Sequence, residues 1–356
     1  MKETRIFFGG VDNSELLEFL DGFTDRKIVI LSDKKVRENC LDKFSAICQF
    51  KTSPIVIEIG QGDSEKTIKS AEYIWSELLK NKVSHNDLFI NLGGGMISDL
   101  GAFTASVYKR GMPFVNVPTT LLAMVDAAYG GKTALNFGAI KNQIGNYAIP
   151  ELIFIEHDFL KTLDPIELKC GLAEMIKSSL IADKKLFVEL SDLNNGQVPT
   201  LGSIKGCLKI KQSIVKQDPY EKGERKALNF GHTFAHALES IRLQSGSSMK
   251  HGEAVALGIF YESYISSKKM GFSHLELIKV RDIIYRHYSH LNFEDIDFDR
   301  LLELMIYDKK NDLGINFTLL KSIGEYKIDN YIEDQVLKDT LMFCKENFNG
   351  QLIANK

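Results

Sequence analysis

The chain has 356 residues, 44% of them hydrophobic and 26% charged, and a formal net charge of −3. That length suits two domains of ordinary size, and the near-neutral balance excludes the strongly basic surface of a nucleic-acid or membrane-surface binder. No apolar run is long enough to span a bilayer and residues 1–10 lack a charged-then-apolar leader pattern, so a cytoplasmic protein without nucleic-acid or membrane partners is expected.

Short apolar runs at 27–31, 55–59, 88–92, 114–117 and 152–155 predict strands, several of them stopped by turn residues such as Gly60 and Pro118. Residues 67–79 carry apolar positions at helical spacing. Strands of this kind between helical stretches indicate a mostly parallel sheet covered on both faces. After about residue 160 helical periodicity dominates, at 166–180, 201–215, 229–241 and 253–267, with one late strand expected at 315–320. Five cysteines (Cys40, Cys48, Cys170, Cys207, Cys344) lack CxxC spacing and read as reduced, mostly buried thiols. The expected organisation is an α/β domain over 1–160 and a mainly helical domain over 161–356. Ligands are expected at the carboxyl ends of the strands, with the active site in the cleft between the domains.

Gly93, Gly94 and Gly95 follow a predicted strand and precede a predicted helix, up to Asp99. Glycine lets a backbone approach a ligand, and a helix N-terminus favours an anion such as a pyrophosphate. Asp33, at the end of an earlier strand, is a candidate acceptor for a ribose hydroxyl. The segment from Pro118 to Pro150 is glycine-rich and polar and reads as a long loop; loops of that length are uncommon unless functional. Its Gly130, Gly131, Lys132 and Thr133 lack the spaced upstream glycine of a P-loop. Lys132, Lys141 and Asn142 suit an anionic substrate.

Glu174 and Lys177 share a face of one predicted helix, and His232 and His236 share a face of another. His251 opens a third, so three of the eight histidines fall between 232 and 251. Two histidines and a carboxylate with an open position form the pattern of a catalytic zinc site, and spacing alone leaves open which two histidines bind. The HTFAH segment lacks the glutamate of an HExxH peptidase. Lys211, Glu221, Arg225 and Asn229 add a charged cluster just before His232.

The segments GGGMISDLGAF, KRG, PTTLLAMVDAAYGGKTALNFGAIKNQIG, GLAEMIK, ERKALNFGHTFAHALE and HGEAVALG resemble, in order and spacing, the signature segments of 3-dehydroquinate synthases, from about residue 59 to 324. The resemblance implies a Rossmann-like N-terminal nucleotide-binding domain with a mostly parallel sheet and a mainly α-helical C-terminal metal-binding domain. It implies Glu174, His232 and His251 as ligands of Zn2+ or Co2+. Asp126, Lys132, Asn142, Lys177, Lys211, Arg225, Asn229 and His236, with Lys309 or Lys310, would contact a sugar acid phosphate. Arg110 would reach into a neighbouring subunit, implying a homodimer. Asp33, Asp63, Lys66, Gly94, Gly95, Asp99, Thr119, Thr120, Lys132 and Lys141 would line an NAD site, with Phe159, Thr162 and Glu167 nearby. Ala127, Ala128, Tyr129, Phe137 and Ile140 depart from the family's usual residues without removing an assigned charge.

The implied reaction converts 3-deoxy-D-arabino-heptulosonate 7-phosphate to 3-dehydroquinate and phosphate in the shikimate pathway, with NAD recycled within turnover. His236 is the expected proton carrier. The competing readings are a related cyclase making an inosose or a valiolone, a metal-dependent polyol dehydrogenase that would release NADH, and a non-catalytic NAD-binding protein. The retained charged set argues against the last, since buried polar groups are costly without a task.

Overall fold

The computed structural model describes residues 4–10, 13–138, 140–246, 249–308 and 314–349. The chain divides into two compact units, Met1–Glu167 and Leu168–Lys356.

The first unit is built on strands β1 (Arg5–Phe8), β2 (Ile28–Asp33), β3 (Ile55–Ile59), β4 (Leu88–Gly93), β5 (Phe114–Pro118) and β8 (Leu152–Ile155), plus the short hairpin strands β6 (Leu135–Phe137) and β7 (Ile140–Ile144). The main sheet has the order β1-β8-β5-β4-β2-β3, and every pair in it is parallel. Strands β4, β5 and β8 are buried along their whole length, which is why they read as continuous apolar runs rather than as an alternation. Helices α1 (Ser14–Asp21), α2 (Asp42–Cys48), α3 (Ile68–Lys80) and α4 (Gly95–Val107) connect them. Thr67 caps α3, its hydroxyl accepting from Ser70 N at 3.2 Å. Helix α4 lies close to the sheet: a Cβ on Gly101 would stand 1.8 Å from Asn91 Oδ1 and 3.0 Å from Leu31 Cδ2. Val29, Leu31, Ile57, Phe89, Ile97, Leu100, Phe103 and Phe114 form the core beneath it.

Strands occur at all five predicted places. The four-residue edge strand β1 was not predicted, being too short and too mixed to carry an alternation. Residues 118–150, expected as an irregular loop, contain a π-helical turn at Ala123–Ala127 and the β6–β7 hairpin. Long-range polar pairs fold this segment back. Asn116 Nδ2 donates to Ala128 O at 3.0 Å, and Thr133 Oγ1 donates to Asn146 Oδ1 at 2.7 Å. No hydrophobic period reveals such bonds.

Helix α5 (Pro165–Ala182) runs from the end of the first unit into the second, which further comprises α6 (Lys184–Ser191), α7 (Leu201–Gln217), α8 (His232–Gln244), α9 (His251–Lys269), α10 (His274–Tyr288), α11 (Phe298–Asp308) and α12 (Asp334–Asn347), with an antiparallel hairpin of β9 (Ile315–Ser322) and β10 (Glu325–Ile332). Helix α9 is central: α8, α10, α12 and β9 all pack on it, and it is buried nearly all round. Helix α8 begins three residues later than its periodicity predicts. Gly231, at φ +81°, ends the preceding 3-10 turn Glu224–Asn229, so Asn229 precedes the helix instead of opening it. Among the described residues no helix is long and apolar enough to cross a membrane.

Replacing Gly101 by Ala forces the added methyl into Asn91, so we expect a loss of about 1–3 kcal/mol, the usual cost of overpacking. Urea unfolding of the variant measures it; an unchanged midpoint would show that α4 can lift from the sheet.

Candidate functional site

Three side chains from three helices of the second unit converge: Glu174 from α5, His232 from the first turn of α8 and His251 from the first residue of α9. One ligand atom from each lies within 4.8 Å of the other two. His232 Nε2 and His251 Nε2 both stand 3.3 Å from the same atom, Glu174 Oε1. The opposite ring nitrogens are engaged: His232 Nδ1 meets Phe230 O at 3.2 Å and His251 Nδ1 meets Glu239 Oε2 at 3.2 Å. A carbonyl or carboxylate oxygen only accepts, so each Nδ1 carries a proton, and each Nε2 either shares a proton with the carboxylate or, once deprotonated, offers its lone pair toward the same place. Neither Glu174 oxygen has a hydrogen bond of good geometry among the described residues, and the side chain is 1% exposed. Three electron-pair donors aimed at one another in a buried place fit a divalent cation.

The titration of the groups follows the same logic. Burial pushes the Glu174 carboxyl up, but the Lys177 ammonium and the two imidazoles outweigh it and hold the group well below the usual carboxylate range. Burial pulls His232 below its ordinary value against the opposing pull of Glu174. Burial also pulls His251 down, yet its contacts with Glu174 and Glu239 overcome this and push it up to about 10. A proton thus competes for the place that a cation fits, and cation binding displaces it.

Close backbone approach sets this geometry. A Cβ on Gly252 would stand 2.2 Å from Cys170 Cα, so the start of α9 lies directly against α5, one turn before Glu174. A Cβ on Gly258 would stand 1.9 Å from Gly231 O, so α9 also presses on the turn that opens α8. Gly231 has no side chain to cap α8. Glu262 of α9, fully buried, does so instead: its carboxylate accepts from Gly231 N at 2.7 Å and from Phe234 N at 3.4 Å. At the start of α9, Glu253 Oε2 accepts from Lys250 N at 3.0 Å while its Oε1 meets His290 Nε2 at 2.7 Å.

Buried cations stand on α5, on α7 and on the 3-10 turn before α8. Lys177, one turn after Glu174, is 2% exposed and its Nζ lies 2.5 Å from Glu174 Oε2. Lys211 and Arg225 are also buried. Helix α7, which carries Lys211, packs on the 3-10 turn that carries Arg225 and Asn229. That turn is anchored by Asp218, whose carboxylate accepts from Lys222 N, Gly223 N and Arg225 N at 3.0, 2.7 and 3.1 Å. Arg225 Nη1 donates to Pro219 O at 2.6 Å, and Asn229 Nδ2 donates to Glu221 Oε1 at 2.7 Å. The β9–β10 hairpin secures the turn from the other side through Thr318 with Lys226 O and Tyr326 with Glu224. His236 is exposed, with its ring centroid 5.5 Å from that of His232 and 6.4 Å from that of His251.

In the first unit, the carboxyl end of β4 runs through Gly93 and Gly94 into α4. Thr119 N donates to Gly93 O at 3.0 Å, and Thr120 lies against Gly94. Beside this turn Lys66 Nζ contacts Asp99 Oδ2 at 2.8 Å and Asn142 Oδ1, while Lys141 Nζ stands 3.8 Å from Asp63 Oδ2. Asn136, one of the two amide side chains that mark the predicted polar loop beside Lys141, joins the group by donating to Asp63 O and by accepting from Asn142 N, both at 3.0 Å. Asp33 ends β2, where its carboxylate accepts from Val36 N at 3.0 Å. Phe159 is buried, Thr162 donates to its carbonyl, and Glu167 lies in the first turn of α5. Asp126 sits in the π-helical turn, and Lys132 is exposed and bridges to Tyr147. Arg110 is exposed at φ +70° directly after Lys109 at φ +48°. Lys309 and Lys310 lie outside the described residues.

Glu239 and Glu262 were not foreseen. Glu239 had a legible signal, lying on the stripe of α8 that carries His232 and His236; Glu262 had none, because it caps a helix far from it in sequence.

A family model described as 3-dehydroquinate synthase N-terminal matches residues 56–170, and one described as 3-dehydroquinate synthase C-terminal matches residues 171–311. The chain is 41% identical over 352 residues to a 3-dehydroquinate synthase of Parabacteroides distasonis, covering 98% of this chain and 99% of the relative. The fold resembles a 2-epi-5-epi-valiolone synthase from Streptomyces hygroscopicus with NAD+ and Zn2+ bound, at a TM-score of 0.83 and 23% identity over 97% of this chain and 98% of that one. It resembles a 2-deoxy-scyllo-inosose synthase complexed with carbaglucose-6-phosphate, NAD+ and Co2+, at 0.81 and 23% over 94% and 95%. At those identities the structural likeness speaks for the fold alone.

Replacing Glu262 by Ala leaves the first amides of α8 without their buried acceptor. We expect a loss of about 1–3 kcal/mol in urea unfolding, with Glu262→Gln in between. Equal stability of the Ala variant and the parent would show that α8 needs no cap.

Proposed function

The chain belongs to the 3-dehydroquinate synthase family, and from that premise we propose that it converts 3-deoxy-D-arabino-heptulosonate 7-phosphate to 3-dehydroquinate and inorganic phosphate, a step of the shikimate route to aromatic amino acids. The structural observation that carries the reading is the convergence of Glu174, His232 and His251 on one point beside a buried lysine. When bound, a divalent cation such as Zn2+ or Co2+ supplies Lewis acidity toward substrate hydroxyls, and NAD supplies a hydride acceptor that is regenerated within each turnover.

The chain's own side chains divide the remaining work. Glu174 and the Nε2 atoms of His232 and His251 form the cation's ligand set. Lys177 holds a positive charge beside it, where an oxygen losing its proton gains most from a neighbouring ammonium in a low dielectric. Buried Lys211 and Arg225 are costly charges that an anionic ligand repays, and a substrate carrying both a carboxylate and a phosphate supplies two. Asn229, with Asp126, Lys132 and Asn142 of the first unit and one of Lys309 and Lys310, completes the set assigned to the substrate. His236, exposed and beside the ligand histidines, is the group assigned to proton transfer. The net reaction breaks one C–O bond to phosphate, makes one C–C bond and leaves no net oxidation. The turn from Gly94 to Thr120, with Lys66, Asp99 and Asp63, is assigned to NAD: the N-terminus of α4 favours a pyrophosphate, and Asp33 offers a carboxylate to a ribose.

We place the enzyme in the cytoplasm, where reducing conditions suit its five buried free thiols. We assign it a homodimer, with Arg110 reaching the neighbouring copy; its exposure and the two successive left-handed residues that present it support this assignment. The cyclases that make an inosose or a valiolone share the fold at 23% identity, whereas a 3-dehydroquinate synthase is 41% identical across the chain, which favours dehydroquinate as product.

Purified protein with NAD, Zn2+ or Co2+ and the heptulosonate phosphate is expected to release phosphate without net NADH, and to stop on addition of a chelator. Steady NADH formation from polyols, with no phosphate release, would point to a dehydrogenase instead. Glu174→Gln and His251→Ala are expected to lose bound metal. Lys177→Met is expected to keep the metal and lose about 10²-fold or more in turnover, the usual scale for a positioned proton-handling or electrostatic group. Metal analysis beside kcat separates the two classes, and near-normal turnover of Lys177→Met would remove it from the mechanism.

A further inference from the structure

We propose that Glu239 is the positioning residue of the metal centre: it orients His251 and thereby sets how tightly the site holds its divalent cation. The proposal rests on the reading of Glu174, His232 and His251 as cation ligands. Of the three, His251 is the most open, its side chain being 33% exposed against 12% for His232 and 1% for Glu174. His232 is steadied through Nδ1 by the backbone carbonyl of Phe230, a fixed acceptor. The corresponding atom of His251 faces Glu239 Oε2 at 3.2 Å, and the Glu239 side chain is only 12% exposed.

This contact does three things. It fixes the ring about its own axis. It keeps the proton on Nδ1 and so leaves the Nε2 lone pair available. It raises the basicity of the ring, because a carboxylate partner stabilises charge building up on the imidazole. Glu239 cannot itself be a ligand in this arrangement, since it addresses the side of the ring opposite to Nε2. The nearby Glu253 cannot substitute for it, because its two oxygens are committed to Lys250 N and His290. Glu239 stands on the same stripe of α8 as His232 and His236, so one helix supplies both a ligand and the support for a ligand borne by another helix.

Zn2+ competition against a chromophoric chelator, on the full chain stripped of metal, tests the proposal with the parent, Glu239→Ala and Glu239→Gln. The Ala variant is expected to raise the Zn2+ Kd by about 10–100-fold, the usual effect of removing such a support. Gln keeps an acceptor for Nδ1–H without the charge and is expected to recover part of that loss. The rise in Tm on adding Zn2+ should shrink in the same order, while the Tm values of the metal-free proteins stay close together. A Kd for Glu239→Ala within twofold of the parent overturns the proposal. Equal weakening in Ala and Gln with a matching fall in metal-free Tm also overturns it, by assigning Glu239 a role in the fold alone. A parent chain that binds no Zn2+ or Co2+ overturns the ligand reading beneath it, a result distinguishable from the other two.

Discussion

Three electron-pair donors are forced together in the second unit, and the rest of that unit is arranged to keep them there. Glu174 Oε1 and two imidazole Nε2 atoms share a space that ordinary side-chain packing would give to apolar groups or to donor–acceptor pairs. Without a shared proton or a cation their mutual approach is unfavourable, so it has to be imposed by a backbone that does not relax. The imposition comes from glycines. Gly252 lets α9 touch α5 beside Glu174, and Gly258 lets α9 touch the Gly231 turn beside His232. Burial of the apolar faces of α8, α9 and α10 drives that close packing, and Glu262 relieves the one helix end that it leaves without a cap.

Buried charges in each unit follow a consistent rule. Lys177, Lys211 and Arg225 are buried cations, and Lys66 is a fourth in the other unit, held by Asp99 and Asn142. Each is made tolerable by a nearby acceptor, such as Glu174 for Lys177 and Pro219 O for Arg225. Together they exceed what structural stability requires, since replacing buried ion pairs by apolar residues is often neutral or stabilising. The proposed phosphate- and carboxylate-bearing ligands would account for that excess.

Much of this was legible in the sequence because it was written locally. The central strands are buried on both faces, so their residues form unbroken apolar runs; Pro118 marks where one of them stops, and Gly60 marks the end of the edge strand β3. Glu174 with Lys177 and His232 with His236 follow helical spacing. What was not legible was written across distance. Strand β1 is four residues long and gains its identity only by pairing with β8. The hairpin in residues 135–144 depends on bonds such as Asn136 N to Lys66 O, between segments far apart in the chain. Helix α8 starts late because Gly231 adopts φ +81° against a backbone from another helix, and no period in residues 229–241 announces that. The contact of Glu239 with His251 joins two helices whose relation the sequence does not state.

The glycine contacts also bear on motion. Where two helix backbones touch without intervening side chains, they have no compressible layer between them, and neither can rotate or slide without collision. Helices α5, α8 and α9 therefore behave as a single stiff block near the triad, and breathing of the protein on the time scale of turnover must be carried by softer parts of the chain. The turn between α7 and α8 is held in another way: the Asp218 carboxylate and three amides fix its start, and hydrogen bonds from the β9–β10 hairpin hold its 3-10 segment. The three converging donors are thus the still point of the unit, whereas Arg225 is mounted on a segment held by hydrogen bonds.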